Sequence, residues 1–256
     1  MDANSRGQET MKSWQVCLAG WLLTLAIATP AMAANSRELA QIRSQLAVEY
    51  AAIGNLKVAL DSANQAVAAD SAYPQAYLTR AYVLGLLQQD AAAEQDFQTV
   101  LRMDPANPEA NNNYGLFLCE HQRAQESLAY FNKALANPLY DSPQTAYLNL
   151  GRCSIQLGAT DQANDYLLTA LRLAPNYVPA LRALADLHLS LGNAKLAAFY
   201  FDRMRSTSPE LQAADLWLGA RIARKTGDRA RENEFSTALK NRYPDSRETQ
   251  LLLSGS

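Results

Sequence analysis

The fold is decided by a stretch that occurs three times with variations: AYLNLGRCSIQLGATDQANDYLLTALRLAP (146–175), AYLTRAYVLGLLQQDAAAEQDFQTVLRMDP (76–105) and ANNNYGLFLCEHQRAQESLAYFNKALANP (110–138). Each copy has a small residue in a first apolar segment, then a turn, then a second segment with another small residue and an aromatic residue or leucine. A proline follows. Alanine and leucine dominate both segments, which favours helix over strand. Each copy therefore predicts a pair of helices, and the chain is predicted to be all-α.

The small residue of the first segment recurs at a spacing of 34 residues in two series, at Ala47, Ala81 and Gly115 and at Gly151, Ala185 and Gly219. This pattern resembles the tetratricopeptide repeat (TPR), a helix-turn-helix unit of 34 residues. The resemblance implies a right-handed superhelix of about six repeats. We place them near residues 40–73, 74–107, 108–143, 144–177, 178–211 and 212–246.

The repeated residues have simple packing roles. A small residue in the first helix lets the second helix approach closely, and the large residue of the second helix fills the remaining gap. A proline cannot continue a helix, so Pro105 and Pro175 should follow the ends of second helices. Gly54, Gly158 and Gly192 fall in the turns between paired helices, where glycine readily adopts the left-handed conformation.

The N-terminus has the pattern of a secretory signal. MKSWQVCLAGWLLTLAIATPAMAANS (11–36) has one lysine, an apolar run and a small-residue cleavage site, which predicts a signal peptide over 1–33 and a repeat region over 34–256. Met11 is an alternative start, and an uncleaved membrane anchor is the alternative interpretation. Cys17 precedes most of the apolar run, so no lipid anchor is evident.

Two cysteines remain after the predicted cleavage, Cys119 and Cys153. They fall on the first helices of adjacent repeats, which pack side by side, and the exported chain would enter an oxidising compartment. A disulfide requires Cα atoms within about 7 Å. The alternative is a pair of buried thiols, which pack as small apolar groups.

The sequence shows no pattern of catalytic or ligand-binding chemistry. Lys and Arg number 23 against 25 for Asp and Glu, with no basic stripe, which argues against a nucleic-acid partner. The two histidines, His121 and His188, lie on different repeats without metal-ligand spacing. Glycine-rich phosphate loops and nucleophile elbows are absent from the sequence. We therefore expect no enzyme activity, cofactor, metal or small-molecule substrate.

The concave face of the predicted superhelix is the expected binding surface, because first-helix side chains line it in this repeat family. Apolar residues there, not needed for packing within a repeat, indicate a protein partner. Asn113 and Asn149 fall where asparagines of some family members grip a peptide backbone. Contact with the chain's own terminal helices is the alternative. The candidate groove residues are Leu78, Tyr82, Leu86, Asn112, Asn113, Leu116, Leu148, Asn149, Arg152 and Ile155.

A more specific resemblance comes from two segments that lie one repeat apart, NNYGLFLCE (112–120) and AYLNLGRCSIQLG (146–158). Both lie downstream of the predicted export signal. Together they resemble the type IV pilus biogenesis and stability proteins, a pilotin-type family of Gram-negative bacteria. The resemblance implies a pair of recurring cysteines, Cys119 and Cys153. It also implies a scaffold that helps the outer-membrane secretin assemble or localise, and so supports formation of the pilus, or fimbrium.

Typical members of that family are lipoproteins, and this sequence departs from them because it lacks an evident lipid anchor. The expected location is the periplasm, with association to the outer membrane through the secretin. Two alternatives remain at this point. The chain could be a generic periplasmic adaptor for another envelope or secretion machine, or an accessory subunit of an envelope enzyme.

Overall fold

The computed structural model describes residues 29–255, with side chains from residue 34 onward. The predicted signal residues 1–28, Cys17 included, lie outside the described residues, and the predicted cleavage point after Ala33 falls within the first helix. Thirteen helices and no strand occupy the described residues, which confirms the all-α prediction. The helices are α1 (Thr29–Ala52), α2 (Leu56–Ala69), α3 (Pro74–Leu86), α4 (Asp90–Met103), α5 (Pro108–Glu120), α6 (Ala124–Ala136), α7 (Pro143–Gln156), α8 (Thr160–Leu173), α9 (Val178–Ser190), α10 (Ala194–Thr207), α11 (Ala213–Thr226), α12 (Arg229–Arg242) and α13 (Arg247–Ser254).

The helices pack as consecutive hairpins within two compact units, which divide between Met103 and Asp104. In the first unit α1 packs on α2 and α3 packs on α4, and α3 also contacts α1 and α2. In the second unit the hairpins are α5–α6, α7–α8, α9–α10 and α11–α12, and each packs on the next. The odd-numbered member of each hairpin is its first helix. The last helix, α13, covers α11 and α12.

The core of each hairpin is a small residue facing a large one, as the sequence predicts. An added Cβ at Gly115 would lie 2.8 Å from the ring of Phe131. At Gly219 it would lie 2.6 Å from the Phe201 ring and 2.9 Å from the Phe235 ring. The three phenylalanines are almost completely buried. Because protein interiors are close-packed, the rings have no room to yield to an added methyl group.

The turns between paired helices require the left-handed backbone conformation. Gly54, Gly158 and Gly192 have φ angles of 78°, 74° and 78°, which confirms their predicted role. At the equivalent points of two other hairpins the same conformation is adopted by Gln88 and Gln122, with φ angles of 58° and 62°. The hairpin contacts therefore impose this turn even where the residue disfavours it.

Second helices end just before the prolines of the connections between repeats, as predicted. The helix α4 ends at Met103, just before Pro105, and α8 ends at Leu173, just before Pro175. The connection from α6 to α7 is longer, and it places Tyr140 in a small buried cluster with alanines of both helices. The additional residues of this connection thus become part of the core.

One buried histidine has no polar partner. His188 lies on α9 with its ring stacked on Tyr200, the ring centroids being 5.6 Å apart. Among the described residues, neither ring nitrogen has a hydrogen-bond partner. Burial lowers the pKa of His188, because a charged imidazolium would lose its solvation there. The folded chain therefore favours the neutral ring.

The close approach at Gly115 predicts that Gly115→Ala destabilises the protein by about 1–3 kcal/mol through overpacking against Phe131. Gly85 on α3 is the matched control, because it is also helical and an added Cβ would meet nothing within 4 Å. Gly85→Ala should leave stability unchanged or raise it by about 0.5–1 kcal/mol. Urea unfolding of both variants measures the difference, and equal stabilities would contradict the proposed packing.

The buried His188 predicts a loss of stability in mild acid. Its folded pKa is lowered below the value of about 6.5 in the unfolded chain, so the unfolded state takes up the proton first as the pH falls. This contribution is fully present above about pH 6.5 and decreases as the pH falls below it, by at most about 1.4 kcal/mol per pH unit. His188→Leu should flatten the pH dependence of unfolding near pH 6, and an unaltered slope would exclude this role.

Candidate functional site

Six of the ten candidate groove residues keep contact with solvent. Tyr82 and Leu86 on α3 are 49% and 43% exposed, although both are large and apolar. Asn113 and Arg152 are also exposed, on α5 and α7 respectively. The remaining two, Leu116 and Ile155, are half-buried. These side chains are available to a partner in the isolated chain.

The other four candidates are buried, and for three of them, Leu78, Asn112 and Asn149, this corrects the expected place on the open groove. Leu78, Asn112, Leu148 and Asn149 are each 5% exposed or less. Neighbouring first helices pack closely enough to cover side chains near their line of contact. These residues therefore hold helices together, and only Leu148 also contributes to a surface cavity described below.

Two of the buried asparagines form a chain of amide hydrogen bonds between first helices. Asn149 Nδ2 on α7 donates to Asn112 Oδ1 on α5 at 3.1 Å. Asn112 Nδ2 in turn donates to Oδ1 of its exposed neighbour Asn113 at 3.2 Å. This chain satisfies buried polar groups and fixes the orientation of the Asn113 amide. The Nδ2 group of Asn113 can then donate a hydrogen bond to a backbone carbonyl of a bound peptide.

A disulfide joins the same two helices. Cys119 on α5 and Cys153 on α7 are bonded, with Cα atoms 5.9 Å apart. Both are buried beside Phe131 and Leu150, in a cluster that belongs to both hairpins. The bond closes a sequence separation of 34 residues. It therefore fixes the register of α5 against α7, next to the amide chain.

The surface of the second unit has a half-open cavity of about 470 Å³. It lies across the first helices α7, α9 and α11, and its size is that of a ligand pocket. Trp217 and Ile155 give it an apolar wall, and three arginines and one aspartate give it charge. The lining residues are Leu148, Arg152, Ile155, Gln156, Pro179, Arg182, Ala183, Asp186, Ala214, Trp217, Leu218 and Arg221.

Two of the cavity's arginines join α9 to α11. The guanidinium of Arg182 donates to both carboxylate oxygens of the buried Asp215, at 2.6 and 2.9 Å. Asp215 also accepts from the backbone N–H of Gln212 at 3.0 Å, which caps α11. On the more exposed side, Arg221 donates to Asp186 at 3.2 Å. Arg182 and Arg221 are thus paired with carboxylates. Arg152, the third arginine of the cavity, has no carboxylate partner among the described residues.

The cavity residues on α9 and α11 are not among the groove residues predicted from the sequence, because that prediction covers only the second to fourth repeats. A signal was present, because Pro179, Arg182, Ala183 and Asp186 occupy one face of α9 with helical spacing. Trp217 is half-buried on the corresponding face of α11. Extending the groove positions by two repeats would have found them.

The described residues offer no alternative site for a metal, since residues 34–255 contain no group of three or more His, Cys, Asp or Glu side chains placed to hold one. Within the same part of the chain, none of the helices has the length and apolarity of a membrane span.

Comparison with known proteins agrees with this description. Tetratricopeptide repeat family models match residues 87–142 and 144–177. The type IV pilus assembly protein PilF of Pseudomonas aeruginosa is 29% identical over 206 residues, which are 80% of this chain and 81% of PilF.

Two solved structures show the same fold. The crystal structure of PilW, described as a widely conserved type IV pilus biogenesis factor, is 37% identical with a TM-score of 0.75, covering 84% of this chain and 98% of PilW. The structure of Pseudomonas aeruginosa PilF is 27% identical with a TM-score of 0.71, covering 87% of this chain and 100% of that one.

The disulfide should contribute substantially to stability. Closing a loop of this length in the unfolded chain corresponds to about 3–4 kcal/mol on the chain-entropy model. Reduction of the folded protein, or Cys119→Ala with Cys153→Ala, should therefore lower the free energy of unfolding by about that amount. Urea unfolding with and without reductant measures it.

The double alanine variant is the internal control for that experiment, because reductant should no longer change its unfolding midpoint. If reductant shifted the variant as much as the parent protein, the effect would not come from this bond.

Proposed function

Since the chain belongs to the tetratricopeptide repeat family of type IV pilus biogenesis factors that includes PilW, we propose that it is a non-enzymatic adaptor that binds a segment of the outer-membrane secretin. In this role it supports secretin assembly or localisation, as a pilotin does. The observation that carries the proposal is the 37% identity to PilW, extending over 98% of that chain. The choice of the secretin follows from the pilotin-type family that the sequence resembles.

The exposed apolar face of α3 supports a protein partner. Tyr82 and Leu86 lie one helical turn apart on this helix, and about half of each side chain meets solvent. Val48, at the equivalent place on α1, is 46% exposed. Exposed apolar residues grouped on one face mark interaction surfaces, and tyrosine is enriched among residues that dominate binding energy. The first unit thus offers a hydrophobic contact for the secretin segment.

The proposed location is the periplasm, with association to the outer membrane through the secretin. The secretory pattern of residues 1–33 supports export. The Cys119–Cys153 disulfide supports an oxidising compartment, because such bonds rarely persist in a reducing cytosol. Both features fit a protein that meets the secretin in the periplasm.

The proposal is tested by affinity capture of the tagged protein from an envelope extract of its own bacterium, with mass spectrometry as the readout. We expect the secretin among the captured proteins. Tyr82→Ala with Leu86→Ala should reduce its recovery about tenfold or more, because both side chains would leave the interface. The folding of this variant is checked by its helical circular dichroism and melting temperature.

The matched control is Phe199→Ala with Leu196→Ala on the second helix α10, which also removes one exposed aromatic residue and one exposed leucine. This control should capture as much secretin as the parent protein. Absence of the secretin from every capture would refute the proposed partner. An equal loss of secretin recovery in both variants would show that the contact is not specific to α3.

A further inference from the structure

The cavity across α7, α9 and α11 has one more positive charge than neighbouring carboxylates neutralise. Its lining contains Arg152, Arg182 and Arg221 against Asp186 alone. The buried Asp215, just outside the lining, neutralises Arg182 through two short hydrogen bonds. Asp186 offsets Arg221. The charge that remains belongs to Arg152.

Arg152 is placed to act on a ligand. It lies on α7 next to the disulfide-bonded Cys153, so the backbone that carries it is held firmly against α5. Its own side chain is exposed and is free of hydrogen bonds and ion pairs to the described residues. A planar guanidinium can bind a carboxylate with two parallel hydrogen bonds, which gives orientation as well as attraction.

The rest of the lining is suited to an apolar side chain beside that carboxylate. Trp217 is half-buried and is therefore already ordered by the core of the second unit. Ile155 lies one turn after Arg152 on the same face of α7 and is also half-buried. Rigid aromatic surface within a concave site is typical of the central residues of protein interfaces. The cavity thus combines one free cation with an apolar wall.

We infer that this cavity binds a short peptide segment of a partner protein in which an aspartate or glutamate lies close to a leucine or aromatic residue. The carboxylate pairs with Arg152, and the apolar side chain packs on Trp217 and Ile155. The inference rests on the proposed adaptor function, and it specifies the chemistry of the segment that the second unit recognises. Charge complementarity selects an acidic peptide over a basic one.

The chemistry of the cavity can be tested without any assumption about the partner. The purified protein and its Arg152→Glu variant are each used to select binders from a library of short random peptides displayed on phage. The protein should enrich peptides with an acidic residue near an apolar one. Arg152→Glu should lose that preference. Arg172→Glu, an equal change of charge on the second helix α8 with Arg172 exposed and bound to Thr169, should keep it.

The affinity of the strongest selected peptide is then measured by fluorescence anisotropy. Arg152→Glu should weaken binding roughly tenfold to a hundredfold, as expected for loss of a charge-assisted contact and its replacement by repulsion. The same peptide with its acidic residue changed to lysine should bind Arg152→Glu better than it binds the parent protein. A general loss of folding could not produce this exchange of preference, which places the acidic residue of the peptide within electrostatic range of Arg152.

The outcomes separate this inference from the proposed function. Enrichment without any acidic preference, or equal weakening by Arg172→Glu, would overturn the assignment of the cavity. Concentration-dependent self-association abolished by Arg152→Glu would overturn it in favour of a second copy of the chain as occupant. If acidic peptides are selected but the secretin is never captured, the cavity assignment stands and only the identity of the partner fails.

Discussion

The structure depends on one steric relationship, a small residue in the first helix of a hairpin against a large residue in the second. At Gly115 the ring of Phe131 comes so close that even a methyl group would collide with it. Both helices bury their apolar faces only because of this approach, and each hairpin then leaves a second apolar face for the next hairpin. The repeated packing, rather than any single strong interaction, stabilises each unit.

Neighbouring hairpins need a further alignment, and a disulfide and polar contacts supply it. Between α5 and α7 the alignment comes from the Cys119–Cys153 disulfide and from the amide bond of Asn149 to Asn112. Between α9 and α11 it comes from Arg182 and the buried Asp215. These contacts are directional, so they set the register of adjacent first helices where apolar packing alone tolerates sliding. The surface formed by those helices is consequently well defined.

The two units present different chemistry on their first helices. The first unit exposes apolar groups, Tyr82 and Leu86, while the second has a cavity with the cation of Arg152 beside Trp217. Under the proposed function, the first surface would offer hydrophobic contact, and the second would add charge complementarity, which contributes to the specificity of an interface.

The sequence by itself determined the helices, the turns at Gly54 and Gly158, the pairing of small with large residues, and the family to which the chain belongs. The helices, turns and pairing follow from local preference and from a period of 34 residues that is interrupted once, between Gly115 and Gly151, and the family follows from the resemblance of NNYGLFLCE and AYLNLGRCSIQLG. It also indicated that Cys119 and Cys153 lie on adjacent helices. The tertiary structure alone decided which first-helix residues are open to a partner. Asn112 and Asn149 became buried, and Arg152, Arg182 and Trp217 came together from three repeats, because exposure depends on how closely neighbouring helices approach, and a repeat pattern does not encode that distance.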